Sequence, residues 1–174
     1  MDVFGAIKGR RSIRKFKKDP VENEKLNKII EAGIWAPSAG NLQSWEVVVV
    51  KEPELKEKLA AAAYLREFIS QAPIVLVICA NKRVCSSIYD KRGSELYCIQ
   101  DAACAGENML LAAHALGLGS CWIGAFDEEL VCEIINIPDL LRPLALFPLG
   151  YPDEKPYPPP RDDMGEFVHQ EKFH

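Results

Sequence analysis

The sequence lacks the glycine-rich motifs with which common nucleotide-binding folds hold phosphates. No Gly-x-Gly-x-x-Gly follows a strand-like run, and no Walker loop is present. Both motifs bring backbone N–H groups at a helix N-terminus close to a phosphate. The segment GLGS at residues 117–120 follows a helical pattern and is more typical of a helix end. A parallel dinucleotide-binding fold is therefore disfavoured.

Long apolar runs and targeting signals are also missing. The longest strongly apolar run, APIVLVICA at residues 72–80, is too short to span a bilayer. The first residues, MDVFGAIKGRR, show no apolar core followed by a small-residue cleavage site. We therefore expect a cytoplasmic protein without a membrane partner.

Cysteines are present, but their spacing does not suit a common metal site. The six cysteines include no Cys-x2-Cys pair, which zinc ribbons and many iron–sulfur sites require. In an unsecreted chain we expect free thiols rather than disulfides. Cys79 ends a strand-like run, and Cys98 and Cys104 fall in a helical pattern of small residues. Buried packing is expected for these three, and no metal is predicted.

Histidines are few, and they form no catalytic arrangement. His114 falls in a helical pattern and is expected to be packed or hydrogen-bonded there, whereas His169 and His174 belong to the C-terminal tail. No Ser-His-Asp or Cys-His set and no carboxylate pair can be assigned. If the protein is an enzyme, its chemistry belongs to a cofactor.

Charge is abundant but unevenly distributed. Residues 1–18 carry seven Lys or Arg against one Asp, and the rest of the chain carries fourteen basic against twenty-four acidic residues. The first segment is thus about +6 and the remainder about −10. A basic surface for duplex nucleic acid would extend over a whole face, so this asymmetry favours a local anionic partner and no nucleic acid.

Hydrophobic patterning predicts a single domain, residues 1–174, in which helices and strands alternate. The uninterrupted valines of the first strand predict burial on both of its faces. Residues 151–174 are rich in proline and are expected to run extended over a surface, packing on a partner subunit. The predicted helices cover 22–36, 54–70, 94–116 and a segment from Asp127, and the predicted strands cover 45–51, 73–80 and 143–151.

The basic cluster at residues 9–18, GRRSIRKFKK, is the strongest candidate for anion binding. Arg10, Arg11 and Arg14 each offer a planar fork of donors, and Ser12 adds a hydroxyl. A solvated basic segment is the alternative. The apolar residues that interrupt the charges favour a segment that packs onto the body of the protein.

Four motifs resemble those of one known family. The segments RRSIRKF, APSAGNLQSWEVVVV, GLGSCWIGAF and LGYPDEKP occur in this order along nearly the whole chain. Together they resemble the nitroreductase family of FMN-dependent oxidoreductases. The resemblance implies an α+β fold, a nitroreductase-like sandwich whose central, mainly antiparallel sheet is flanked by helices. It also implies a homodimer with FMN at the subunit interface.

The same resemblance implies which residues bind FMN. Arg10 and Ser12 would hold the phosphate and ribityl chain with Arg11 beside them, and Arg14 would reach the pyrimidine edge of the flavin. A backbone N–H at the Ile123–Gly124 turn would face flavin N5, and Arg161 matches, less closely, a basic residue that reaches the phosphate. Ser44 stands where many members have proline. The partner subunit would contribute Pro37, Ser38, Ala39, Asn41 and Gln43 to the same flavin.

The implied activity is a ping-pong transfer of hydride from NADH or NADPH through FMN N5 to a small acceptor such as a nitroaromatic or a quinone. No catalytic side chain is needed, which agrees with the lack of a catalytic set. A flavin-binding redox carrier reduced by a partner protein is one alternative. A dehalogenase-like relative is another, although the sequence shows no obvious lid insertion.

Overall fold

A four-stranded antiparallel sheet forms the centre of the protein. The computed structural model describes residues 1–173, and His174 lies outside the described residues. The strands are β1 (Trp45–Val50), β2 (Ile74–Asn81), β3 (Gly119–Ser120) and β4 (Leu141–Gly150). Every pair of neighbouring strands is antiparallel, and the order across the sheet is β1-β2-β4-β3. This confirms the predicted α+β fold.

Helices cover both faces of this sheet. Among residues 1–173, no helix combines the length and the apolar character that crossing a membrane requires. Short 3-10 turns occur at Ala39–Asn41 and Met164–Glu166, and a π-helical turn occurs at Gly93–Tyr97. The α-helices are α1 (Val3–Gly9), α2 (Asn23–Ile34), α3 (Pro53–Ala62), α4 (Phe68–Gln71), α5 (Lys82–Arg92), α6 (Cys98–Ala115) and α7 (Glu128–Ile135).

Strand β2 separates two apolar cores. Its side chains alternate, so that Leu76 and Ile78 pack with α2 and α6 on one face. Val75 and Val77 pack with α3 and α7 on the other. Because β2 lies between β1 and β4 and is covered on both faces, its continuous apolar run is fully buried, as the sequence predicts.

The prediction for β1 was wrong in one respect. Although its valines are uninterrupted, β1 is an edge strand, and Val48 is 37% exposed within the protomer. Val47 and Val49 pack towards α6, whereas Glu46 is exposed like Val48. The pattern of residue types resembled a central strand, but position in the sheet decides burial.

Two helix boundaries and one burial assignment also differ from expectation. The helix predicted over 54–70 breaks after Ala62, because Tyr64 and Leu65 adopt left-handed φ values of 59° and 58°. The long helix begins at Cys98, not near 94, because the π-helical turn precedes it. Cys104 is exposed, contrary to the prediction, whereas the other two thiols expected inside are buried. Helices α1 and α5 were not predicted.

Candidate functional site

Residues 10–18 of the basic cluster, called the basic segment below, pack between two other parts of the chain. Ile13 and Phe16 are buried, which confirms that the segment is not a free arm. On one side, the Ile13 N–H donates to the carbonyl of Ser120 in β3 at 2.9 Å. On the other, the Lys17 N–H donates to the carbonyl of Tyr151 at 2.9 Å. The segment thus runs between the end of the sheet and the start of the C-terminal tail.

One carboxylate of the tail fixes the middle of the basic segment. Glu154 Oε1 accepts hydrogen bonds from the backbone N–H groups of Arg14 and Lys15. The Asp153 N–H donates in turn to the Lys15 carbonyl at 2.9 Å. With its backbone held in this way, Arg14 keeps its guanidinium exposed and available to a ligand.

A cavity of about 350 Å³ lies beside the basic segment. It is bounded by the end of α1, the last turn of α6, β3 and the tail. Three cationic side chains and one carboxylate face it, so its local charge is positive on a chain whose net charge is −4. These charged lining residues are Arg10, Arg11, Lys155 and Glu154.

Arg10 has an unused donor in this cavity wall. Its Nε is buried and has no hydrogen-bond partner within residues 1–173. The carboxylate of Glu107 lies 3.6 Å from that Nε, which allows an ion pair but not a hydrogen bond. Buried donors are seldom left unpaired in native proteins, because their desolvation is then uncompensated. An anionic ligand is the group that this position fits.

Arg161 lies beside Arg11 in a second, smaller cavity. That cavity measures about 280 Å³ and is lined by Ile7, Lys8, Arg11, Pro159 and Arg161. Arg11 lines both cavities, and its Nη1 donates to the carbonyls of Lys8 and Arg10, both at 2.7 Å. The structure therefore brings the distant Arg161 to the same basic region.

The loop at residues 37–44 is held by a residue that sequence reasoning missed. Asp101, in the first turn of α6, is 4% exposed. Its carboxylate accepts the Ala39 N–H at 2.9 Å and the Ser44 hydroxyl at 2.6 Å. Helix α6 also carries the acidic Glu107 among its small and apolar residues, so no sequence signal sets Asp101 apart. Ser44, noted as a departure from proline, supplies one of the two anchoring contacts.

This loop has an unusual backbone. Gly40, Asn41 and Gln43 have φ values of 57°, 58° and 50°, in the left-handed region. The loop closes on itself, since Gln43 N–H donates to Ser38 Oγ and Gln43 Nε2 donates to the Asn41 carbonyl. The Pro37, Asn41 and Gln43 side chains are exposed. None of these loop residues lines either basic cavity, so one protomer does not bring the loop and the basic segment together.

The turn after β3 presents a free backbone donor. Ile123 is buried and exchanges two hydrogen bonds with Leu146 of β4, at 3.1 and 2.9 Å. Gly124 follows it, is exposed, and its N–H donates no hydrogen bond within residues 1–173. Of the neighbouring aromatic residues, Phe126 is buried and Trp122 is 38% exposed. The turn therefore offers a donor without a side chain to cover it.

His114 lies in the wall of the larger cavity, which the sequence did not indicate. It belongs to the last turn of α6 and is half-buried. Burial, and then the positive charges of Arg10 and Arg11, hold its pKa below the ordinary value for histidine. Within residues 1–173, no group of three or more His, Cys, Asp or Glu side chains is arranged so as to hold a metal ion.

Comparison with known proteins decides the family. A family model described as Nitroreductase family matches residues 7–66 and 61–151. The chain belongs to the nitroreductase family. Among its relatives, this nitroreductase-family chain is 36% identical to an NADH dehydrogenase of Thermus thermophilus, over 91% of this chain and 90% of that protein. It is 32% identical to an FMN reductase [NAD(P)H] of Bacillus subtilis, over 99% of this chain and 75% of that protein.

A solved structure supports the same assignment. The NADPH:FMN oxidoreductase of Vibrio harveyi, determined in complex with NAD+, superposes with a TM-score of 0.91 at 30% sequence identity. The superposition covers 99% of this chain and 78% of that one. The nitroreductase fold therefore extends over essentially all of the described residues.

Proposed function

We propose that this nitroreductase-family protein works as a homodimer that transfers hydride from NADH or NADPH, through FMN N5, to a small oxidised acceptor. Its family, and relatives that include an FMN reductase and an NADPH:FMN oxidoreductase, indicate that the chain is an FMN-dependent NAD(P)H oxidoreductase. When bound, FMN supplies the atom that accepts and gives hydride. The residues of the chain bind it, orient it and set its charge environment.

The observation that carries this proposal is the positive cavity lined by Arg10, whose buried Nε has no hydrogen-bond partner within residues 1–173. A phosphate fits such a site because a guanidinium donates charge-assisted hydrogen bonds to its oxygens. Arg10 holds the phosphate, Arg11 adds positive charge, and Arg161 reaches the same region through the second cavity. Ser12, which pairs with Ser120 of β3, lies next along the chain toward the ribityl chain.

Two further groups act on the ring system. Arg14, exposed and with its backbone held by Glu154, would lie at the pyrimidine edge of the bound flavin. A cation there would stabilise reduced FMN, because the reduced ring carries negative charge near N1 and O2. Gly124 offers its free N–H to N5, and the buried Ile123 before it keeps the turn in place.

The partner subunit completes the site. In one protomer, the rigid loop containing Pro37, Ser38, Ala39, Asn41 and Gln43 lies apart from the basic cavities, which supports its use by the other protomer. Large apolar side chains of the tail, among them Tyr157, Phe167 and Phe173, are exposed in the protomer. A partner subunit that covers the tail removes this apolar surface from water.

Mixed dimers test the shared site. An Arg10→Ala chain and a chain with Asn41→Ala and Gln43→Ala each bind FMN weakly as homodimers, since both sites are damaged. Mixed dimers of the two place both lesions in one site and leave the other intact. We expect half of the FMN sites to recover normal affinity, measured by flavin fluorescence quenching on purified mixed dimers. No recovery would show that one subunit supplies both elements.

The kinetic order of the reaction tests the transfer scheme. If one open site serves donor and acceptor in turn, plots of the reciprocal rate against the reciprocal NADPH concentration form parallel lines. Each line is recorded at one fixed concentration of a quinone. The same scheme requires that NADH or NADPH reduce the bound flavin without any acceptor, followed at its visible absorption band in an anaerobic stopped-flow instrument. Intersecting plots, with no reduction in the absence of acceptor, would contradict the scheme.

A further inference from the structure

His114 has a place in the phosphate cavity that the proposed function does not use. Its imidazole lines the same wall as Arg10, Arg11 and Ser120. A Cβ atom added to Gly9 would lie 2.7 Å from His114 Nε2, so the ring rests against the residue that precedes Arg10. The absence of a side chain at Gly9 is what lets the imidazole approach the basic segment so closely.

The charges around His114 come from three parts of the chain. The end of α1 and the basic segment bring Arg10 and Arg11, and the tail brings Glu154 and Lys155. On α6 itself, Glu107 lies 3.6 Å from Arg10. Positive charge exceeds negative charge among these groups. A neutral imidazole is favoured in such surroundings, and it still offers one N–H donor to a ligand.

We propose that His114 is a further ligand of the FMN phosphate and that it takes up a proton when the phosphate binds. This inference rests on the proposed function, because it takes FMN phosphate to be the anion of the cavity. The imidazole, Arg10 and Arg11 then surround one phosphate from α6 and from the basic segment. His114 belongs to the binding machinery, not to the hydride transfer itself.

The proton uptake follows from simple electrostatics. In the free protein, burial and two arginines hold the His114 pKa below its ordinary value. A phosphate placed beside the ring adds negative charge and raises that pKa, so the complex binds more protons than the free protein. Affinity for FMN therefore increases as the pH falls from the pKa in the complex towards the pKa in the free protein.

A second ionisation competes with this effect. The phosphate of FMN loses one of its negative charges below about pH 6, which weakens its binding to any cationic site. The pH dependence of the wild-type protein therefore contains both contributions. A variant that keeps a donor but cannot be protonated isolates the contribution of His114, since the phosphate titrates equally in both proteins.

The test measures the dissociation constants of FMN and riboflavin for the full chain after flavin removal. Riboflavin has the same ring and ribityl chain but no phosphate, and inorganic phosphate serves as a competitor in a third titration. The proteins are wild type, His114→Leu, His114→Gln and, as a matched control, His169→Leu in the tail. Fluorescence quenching is recorded from about pH 5.5 to about pH 8.5, the range in which histidine titrates.

We expect His114→Leu to bind FMN about tenfold more weakly than wild type at pH 6.5, in line with loss of one hydrogen bond to a charged group. Its affinity for riboflavin stays unchanged, and inorganic phosphate competes less well against FMN. His114→Gln retains part of the affinity at high pH but lacks the wild-type gain at lower pH. His169→Leu behaves as wild type throughout.

Each other outcome has a definite meaning. Equal FMN affinity and equal pH dependence in wild type and His114→Gln would overturn the inference, while the preference of wild type for FMN over riboflavin leaves the proposed function standing. A loss of riboflavin affinity as large as the loss of FMN affinity would overturn it too, because the effect would then be structural. A wild-type protein that binds neither flavin would overturn the proposed function itself.

Discussion

Replacing Arg10 with Ala is expected to weaken FMN binding by about a hundredfold, the loss typical of a buried, charge-assisted contact. Among the side-chain nitrogen and oxygen atoms of residues 1–173, the Arg10 Nε is the buried one without a hydrogen-bond partner, and the substitution removes it. It also removes the ion-pair partner of the Glu107 carboxylate, which lies 3.6 Å from the Arg10 Nε. Dissociation constants from flavin fluorescence quenching measure the effect.

Two controls make the Arg10 result specific. Arg66→Ala removes an exposed arginine far from the basic segment along the chain and is expected to leave FMN affinity unchanged. Arg10→Lys keeps the charge but lacks the planar fork, so its affinity should fall between those of wild type and Arg10→Ala. Equal FMN affinity in wild type and Arg10→Ala would remove Arg10 from the site.

Replacing Asp101 with Ala should affect both stability and flavin binding. The change leaves the Ala39 N–H and the Ser44 hydroxyl without their buried acceptor. We expect the free energy of unfolding of the flavin-free protein to fall by about 3 kcal/mol, as for loss of a buried, charged hydrogen-bonding partner. Because the loop at residues 37–44 loses its anchor, FMN affinity should fall as well. Urea denaturation and flavin titration measure the two effects.

Ser44→Ala is the matched control for this change. It removes one of the two hydrogen bonds but keeps the carboxylate and its contact with Ala39, so its cost in unfolding free energy should be about 1 kcal/mol. Destabilisation by Asp101→Ala with unchanged FMN affinity would mean that the loop has only a structural role. The proposal that the loop contributes to the flavin site would then be wrong.

Local sequence patterns were sufficient to predict the family and much of the fold. The apolar residues Ile13 and Phe16, set among charges, indicated a packed basic segment, and both are buried. Asp127 was predicted to begin a helix, and its side chain does accept the Leu130 N–H. Such features depend on neighbours within a few residues, which a single sequence displays directly.

Contacts between distant residues could not be predicted in this way. Asp101 holds a loop 57 and 62 residues away. Glu154 accepts hydrogen bonds from backbone N–H groups that lie 139 and 140 residues away along the chain. His114 reaches the larger basic cavity only because α6 ends beside the basic segment. None of these side chains differs in type or spacing from an ordinary surface or helix residue.

The errors in the sequence reading have the same origin. The valines of β1 suit a central strand, but the exposure of Val48 depends on the position of β1 at the sheet edge. The break at Tyr64 and Leu65 occurs between residues of ordinary helix propensity. Tertiary packing overrides local preference at both places.

The visible absorption spectrum of the purified protein, followed by anaerobic addition of NADH and then NADPH, tests the central claim most directly. We expect a yellow protein whose flavin band is bleached by at least one of the two nicotinamides. A flavin that stays oxidised with both would indicate a carrier fed by another protein. A colourless protein that takes up no added FMN would show that the protein is not an FMN-dependent oxidoreductase.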